Sequence, residues 1–147
     1  IIYDNIKNYL KYFTVGSFDI VLSNPPFFKV TENKELLNDL EQLSIARHEV
    51  ELNLDELIDI SSKLVKDRGY FYLVHRADRL SEILVTLQKY NFEAKKIKFC
   101  YTTKQKNAKI VLIEAIKNGK VGLTILPPLV INKDNGEYTD EVLKMFE

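Results

Sequence analysis

Residues Phe18 to Phe28 read F-D-I-V-L-S-N-P-P-F-F, and this stretch decides the expected fold. Phe18 to Leu22 is almost continuously apolar, which is typical of a strand buried on both faces of a parallel sheet. The tetrapeptide Asn24-Pro25-Pro26-Phe27 then leaves the carboxyl end of that strand as a rigid turn. Because open α/β sheets bind ligands outside the carboxyl ends of their strands, this tetrapeptide is the first candidate site.

The segments around this strand predict an α/β fold. Residues 1–3 predict the end of a strand, and a short helix with Ile6, Leu10 and Phe13 on one face follows it. Asn53 and Glu56 predict a capping box at the start of a second helix, which Gly69 is expected to end in a left-handed conformation. The remaining elements are a helical excursion at 31–50 suited to a substrate lid, strands at 70–75, 94–102 and 109–116, extended segments at 121–125 and 129–131, and helices at 78–90 and 138–146.

This order predicts a partial Rossmann-like sheet within one domain, residues 1–147. Parallel strands with crossover helices come first, and antiparallel strands follow at the C-terminal edge. The turn at Asn118-Gly119 favours a hairpin between the strand at 109–116 and the next extended segment.

Composition excludes several classes of protein. The chain has 147 residues, 46% of them hydrophobic, and zero formal net charge, as expected of a soluble globular domain. The lone Cys100 forms no intrachain disulfide and no residue group has metal-ligand spacing, so a cytoplasmic protein without a bound metal is expected. No apolar run is long enough to cross a membrane. Because the chain opens inside an apolar segment at Ile1, a cut edge is also expected there.

The tetrapeptide offers acceptors for a planar amino group. The amide oxygen of Asn24 and the carbonyl of Pro25 can each accept one proton of an NH2 group. Phe27 can stack on the target ring, while Pro25 and Pro26 keep the loop rigid. The arrangement favours methylation of an amine by positioning and electrostatic stabilisation, with no side-chain base. The structural alternative is an ordinary proline-rich turn after a strand, because Asn-Pro is a common turn starter.

The stretch F-D-I-V-L-S-N-P-P-F resembles motif IV of the class I S-adenosylmethionine-dependent methyltransferases that modify amino groups. Further segments resemble the bacterial tRNA(valine) adenine-N6-methyltransferase-like family, and the resemblance spans nearly the whole chain. They are A-R-H-E at 46–49, S-S-K-L-V-K-D-R-G at 61–69, V-H-R-A-D-R-L at 74–80 and I-L-P-P-L at 125–129.

The resemblance implies S-adenosylmethionine as cofactor and adenine N6 in tRNA as the target. It implies a seven-stranded sheet in which residues 1–3 belong to the third strand and Phe18 to Leu22 to the fourth. Asp4 then lies near the cofactor adenine with Asn24, and Phe27 and Phe28 face the substrate. Guanine N2 or a glutamine amide remain alternative targets, and a non-catalytic RNA-binding or assembly module remains an alternative function.

The resemblance also implies parts that these residues lack. The family's glycine-rich cofactor loop precedes the third strand and is absent from the 147 residues. Phe18 to Leu22 is therefore expected to be an open edge, which favours self-association, since an apolar strand edge invites pairing. We further expect this chain alone to bind S-adenosylmethionine weakly and not to turn over.

Other candidates carry open interpretations. Arg47 and His48 can reach a substrate phosphate or base, or His48 can simply be exposed or cap a helix. His75 and Arg76, at the end of the predicted strand 70–75, are candidates for a phosphate contact. A lysine-rich segment that includes Phe99 and Tyr101 can form either a nucleic-acid-binding face or a solvated strand face. Its lysines are Lys95, Lys96, Lys98, Lys104, Lys106 and Lys109.

Overall fold

The computed structural model describes residues 1–25 and 53–147, which form one mixed sheet with helices packed against it. The strand order is β1-β2-β4-β3-β5, with β6 also paired to β3. β1 and β2 are parallel, and β4 is antiparallel to both β2 and β3, so β1, β2 and β3 point the same way. The strands are β1 (Phe18–Ser23), β2 (Val65–Arg76), β3 (Phe92–Tyr101), β4 (Ile110–Lys117), β5 (Thr124–Ile125) and β6 (Leu129–Val130).

The predicted fold class is confirmed, and the structure adds one detail to it. The antiparallel strand β4 is inserted between the parallel strands β2 and β3. Asn118-Gly119 does not form the predicted hairpin, because β5 pairs with β3 in the parallel direction. Pro127-Pro128 does separate the two short parallel segments β5 and β6.

Two of the three α-helices in the described residues begin at a side-chain cap. α1 (Leu54–Leu64) has the complete capping box of Asn53 and Glu56. α2 (Leu80–Lys89) follows a short 3-10 helix, Ala77–Arg79, and α3 (Asp140–Leu143) is capped by Thr139 but is shorter than the predicted 138–146. One further 3-10 helix, Ile6–Lys11, precedes β1.

The core lies between α1, α2 and the sheet. It includes Leu57 and Ile58 of α1 with Ile83 and Leu87 of α2, as their helical spacing predicts. The aromatic rings of Phe71 on β2 and Phe92 on β3 stack within it, with centroids 5.2 Å apart. The core thus packs the helices against the sheet whose strand ends carry the candidate residues.

Two predictions about the start of the chain are wrong. Residues 1–3 form no strand, since within the described residues no neighbouring strand pairs with them. Ile6 and Leu10 do not share a buried face with Phe13, because both are exposed and Phe13 lies beyond the end of the 3-10 helix. Tyr9 is buried there instead, against Ile60 and Leu64.

The strand β1 is not buried on both faces. It pairs only with β2 among the described strands, and its residues Ile20 and Leu22 are 56% and 71% exposed. The physical reason is that an apolar run predicts a strand. Whether each face of that strand is buried depends on which other elements pack against the face. The expected open edge at Phe18 to Leu22 is thus present in the described part of the chain.

The predicted left-handed stop at Gly69 is also wrong. Arg68 has the positive φ of 62°, and α1 ends at Leu64 with Val65 already in β2. Gly69 is needed for a different reason, because a Cβ there would lie 2.9 Å from the backbone oxygen of Asp19 on β1. Glycine therefore allows β1 and β2 to approach at the irregularity in their register, between Phe18 and Ile20.

Some predictions lie outside the described residues. They concern Pro26, Phe27, Phe28, the helical excursion at 31–50, Arg47 and His48. Among the helices of residues 1–25 and 53–147, none has the length and apolar character that crossing a bilayer requires.

Candidate functional site at the carboxyl ends of the strands

The carboxyl ends of three strands form one rim of the sheet. Asn24 and Pro25 follow β1, His75 and Arg76 end β2, and Tyr101 ends β3. The shared direction of these strands brings their ends to the same side. Asn24 is exposed and Pro25 is half-buried, so the carboxamide of Asn24 is accessible beside a fixed backbone. This rim is the position at which open α/β sheets bind ligands.

His75 is a buried residue of the rim. It is 4% exposed, and its Nδ1 accepts a hydrogen bond from the backbone N–H of Arg76 at 2.8 Å. Burial lowers the pKa of His75, and the nearby positive charge of Arg79 lowers it further. The imidazole is therefore neutral near pH 7, so it offers no positive charge to a phosphate. A phosphate contact by His75 stays a prediction that this environment does not favour.

The arginines of the rim are already paired with carboxylates. Arg76 makes a bidentate contact with Asp78, in which Nε lies 3.0 Å from Oδ1. Arg79 makes the same kind of contact with Glu82, with Nε 2.8 Å from Oε2. Each arginine–carboxylate pair has almost no net charge. For the predicted phosphate contact, Arg76 would have to leave Asp78 and bind the phosphate instead.

Asp4 lies in a second part of the candidate site. Its Oδ2 accepts from the hydroxyl of Tyr12 at 2.7 Å, and its Oδ1 accepts from Asn8 Nδ2 at 2.8 Å and from the backbone N–H of Asn5 at 2.7 Å. These hydrogen bonds, that of Tyr12 first, lower the pKa of Asp4 to about 2. Asp4 is therefore a fixed anion at neutral pH.

An open cavity of about 410 Å³ surrounds Asp4. Its wall is mainly apolar, formed by Ile1, Ile2, Ile6, Tyr9, Tyr12 and Phe13 with Asn5. Lys7 Nζ, on the same 3-10 helix, lies 2.9 Å from Glu56 in the first turn of α1, while Gly16 N donates to Lys63 O near its last turn. The segment from Lys7 to Gly16 thus contacts both the first turn and the last turn of α1, and two residues of the cavity wall, Tyr9 and Phe13, pack against Ile60 and Leu64.

The resemblance in the sequence points to Asp4 but not to Asn8 and Tyr12, whose side chains hydrogen-bond to it. A spacing of Asp, Asn and Tyr at intervals of four residues is a weak signal, because such residues are common on solvated helix faces. Only the folded segment shows that the three side chains meet, two of them from residues that flank the 3-10 helix.

The sequence of this chain is similar to those of several curated proteins. Over 136 residues the chain is 30% identical to a tRNA1(Val) (adenine(37)-N6)-methyltransferase of Porphyromonas gingivalis, a match that covers 88% of this chain and 50% of that protein. The chain is therefore similar in sequence to curated proteins that are named as tRNA adenine-N6 methyltransferases. It spans about half the length of the curated relatives it matches. No family model matches it.

Solved structures support the fold. A predicted O-methyltransferase of Agrobacterium tumefaciens superposes with a TM-score of 0.66 and 20% identity, over 90% of this chain and 52% of that one. A candidate DNA modification methylase of Thermus thermophilus, crystallised with S-adenosyl-L-methionine, superposes with a TM-score of 0.50 and 15% identity, over 80% of this chain and 52% of that one. The sheet is therefore that of a methyltransferase fold, and the resemblance found in the sequence is confirmed.

Proposed function

We propose that this chain carries the target-amine side of an S-adenosylmethionine-dependent N-methyltransferase that acts on adenine N6 in tRNA. The observation that carries the proposal is the exposed Asn24, followed by Pro25, at the carboxyl end of β1 in a methyltransferase sheet. The similarity to relatives named as tRNA adenine-N6 methyltransferases supports the choice of target.

The chemistry follows from the two acceptors. The amide oxygen of Asn24 and the carbonyl oxygen of Pro25 accept the two protons of the adenine amino group. They favour a pyramidal nitrogen whose lone pair points out of the ring plane, towards the methyl donor. The bound cofactor would supply the methyl carbon, whose bond to sulfur would break as its bond to the amine nitrogen forms, and one amine proton would then leave to water. Since adenine is stacked in RNA, the base has to be flipped out first.

The cofactor supplies an electrophilic methyl group on a sulfonium, and some residues of this chain fit it. The apolar wall of the cavity at Asp4 suits the face of an adenine ring. Among the described residues, Oδ2 of Asp4 accepts a hydrogen bond from Tyr12 and lies 3.8 Å from Lys11 Nζ, and a carboxylate oxygen can accept a further hydrogen bond from a ligand. Asp4 is thus the residue that we assign to the cofactor adenine. We propose that Asn24 adjoins the cofactor from the β1 end, and that the glycine-rich loop comes from residues other than these 147.

Guanine N2 and a glutamine side-chain amide present the same planar amine, so they remain alternative targets. A non-catalytic RNA-binding or assembly module with this fold is the alternative of a different class. We also propose that the enzyme acts in the cytoplasm, where tRNA is found, and that tRNA is its main partner. The predicted roles of Phe27, Phe28, Arg47 and His48 in substrate binding remain part of this proposal.

The test is a methylation assay on the longer protein, expressed from the complete reading frame that contains these residues. Labelled S-adenosylmethionine is supplied with an unmodified tRNA transcript or with cell protein, and the methylated product is identified by mass spectrometry. N6-methyladenosine in the tRNA supports the proposal. Label in N2-methylguanosine or only in protein selects an alternative target, and the absence of transfer to any substrate favours the non-catalytic module.

A further inference from the structure

The lysines of the lysine-rich segment fall into two groups in the structure. Those on β3 are engaged: Lys96 Nζ lies 3.0 Å from Glu114 Oε1, and Lys98 Nζ lies 3.0 Å from Glu141 Oε1. Lys95 Nζ donates to the backbone oxygen of Lys120 at 2.9 Å. The positive charge of this strand face is thus largely offset by neighbouring acids, as in a solvated strand face.

The second group lies on the loop between β3 and β4. Lys104, Lys106 and Lys109 are exposed, and within residues 1–25 and 53–147 none of them lies within ion-pair distance of a carboxylate. The loop sequence T-T-K-Q-K-N-A-K, residues 102–109, contains no acidic residue. Three full positive charges are therefore concentrated on one short loop.

The loop lies on the candidate rim. The backbone N–H of Ala77, directly after β2, donates to the backbone oxygen of Lys109 at 2.9 Å. The neighbouring arginines, Arg76 and Arg79, are each neutralised by their own carboxylate partner. Among the described residues at this part of the rim, the loop lysines thus carry the positive charge that no carboxylate offsets.

The distance from the loop to Asn24 suits a nucleic acid. β1 and β3 are separated by three strand spacings, because β2 and β4 lie between them. At roughly 4.8 Å per spacing this amounts to about 14 Å. In a duplex of about 3.4 Å per nucleotide along one strand, that distance corresponds to about four nucleotides. A base at Asn24 and a phosphate at the loop can therefore belong to the same RNA.

We propose that the loop at residues 102–109 binds the backbone phosphates of the substrate RNA, a few nucleotides from the methylated base, through Lys104, Lys106 and Lys109. This inference rests on the proposed function. The loop has polar side chains that can donate to phosphate or ribose oxygens, namely Thr102, Thr103, Gln105 and Asn107. It has no large apolar or aromatic residue of the kind that anchors protein interfaces, which favours RNA over an acidic protein.

The experiment compares two variants with the same change in net charge. The first carries Lys104→Gln, Lys106→Gln and Lys109→Gln. The control carries Lys96→Gln, Lys98→Gln and Lys133→Gln, three lysines that are paired with acids. The dissociation constant of a fluorescently labelled tRNA transcript is measured for the longer protein over a series of KCl concentrations. All three proteins are first compared by thermal melting.

We expect the loop variant to lose about 2–3 units from the slope of log affinity against log salt concentration, since each phosphate contact contributes about 0.7–0.9. The control is expected to keep the wild-type slope. An unchanged slope in the loop variant, an equal loss in the control, or stronger competition by poly-L-glutamate than by unlabelled tRNA would overturn the inference. Failure of the proposed function would be seen separately, as the absence of methyl transfer by the wild-type protein.

Discussion

The close approach of β1 and β2 at Gly69 gives a prediction that links the fold to the site. A Cβ at position 69 would lie 2.7 Å from Val65 Cγ1, 2.9 Å from Asp19 O and 3.1 Å from Lys66 O. Val65 Cγ1 can move by a change of side-chain rotamer, but the two backbone oxygens belong to paired strands. Gly69→Ala therefore has to push β1 away from β2 at the irregularity in their register.

Overpacking of this kind costs about 1–3 kcal/mol in the free energy of unfolding. In a chain of this size each kcal/mol lowers the melting temperature by about 2–4 °C. We expect Gly69→Ala to melt roughly 3–10 °C below the wild-type chain in a thermal scan followed by circular dichroism.

The matched control for this substitution is Gly16→Asn. Gly16 has a φ of 66° and no heavy atom within 4 Å of an added Cβ. Asparagine adopts the left-handed conformation more readily than most residues, so the control should stay within about 0.5 kcal/mol of wild type. If Gly69→Ala melts at the wild-type temperature, the steric account of Gly69 and of the spacing between β1 and β2 is wrong.

Two further predictions concern Asp4 and the open edge. Because the pKa of Asp4 is lowered from 3.8 to about 2, its hydrogen bonds stabilise the fold above about pH 4 and are lost as the pH falls towards 2. Asp4→Asn should therefore flatten the dependence of the unfolding free energy on pH between about 4 and 2. An unaltered curve would refute the role of Asp4. The open edge of β1 in the described part of the chain predicts that this chain self-associates. Leu22→Lys places a charge on that edge strand and should return the chain to a monomer. Sedimentation velocity that shows a wild-type monomer at every concentration would contradict this.

Local signals in the sequence predicted local structure well. The capping box of Asn53 and Glu56 depends only on residues three apart, and the structure confirms both hydrogen bonds. The buried stripes of α1 and α2 follow in the same way from helical periodicity. The position of Asn24 after β1 is confirmed too, because a continuous apolar run followed by Asn-Pro marks the end of a strand.

Features set by distant residues could not be predicted in this way. The sequence pattern predicts a left-handed φ at Gly69, whereas the structure requires glycine there for the close approach to Asp19, fifty residues earlier. The burial of β1 depends on which elements pack against its two faces, and no local pattern contains that information. Likewise, only the fold shows that Lys98 meets Glu141 while Lys104 and Lys106 meet no acid among the described residues.

The central claim is that Asn24 holds the amine that receives the methyl group. Its most direct test is the single-turnover rate of methyl transfer to tRNA by the longer protein carrying Asn24→Ala, measured together with its affinity for tRNA. Loss of one preorganised hydrogen-bond partner of this kind costs about 10²–10³-fold in rate, so we expect a loss of at least that size with tRNA affinity unchanged. A variant that transfers methyl groups at the wild-type rate would contradict the account.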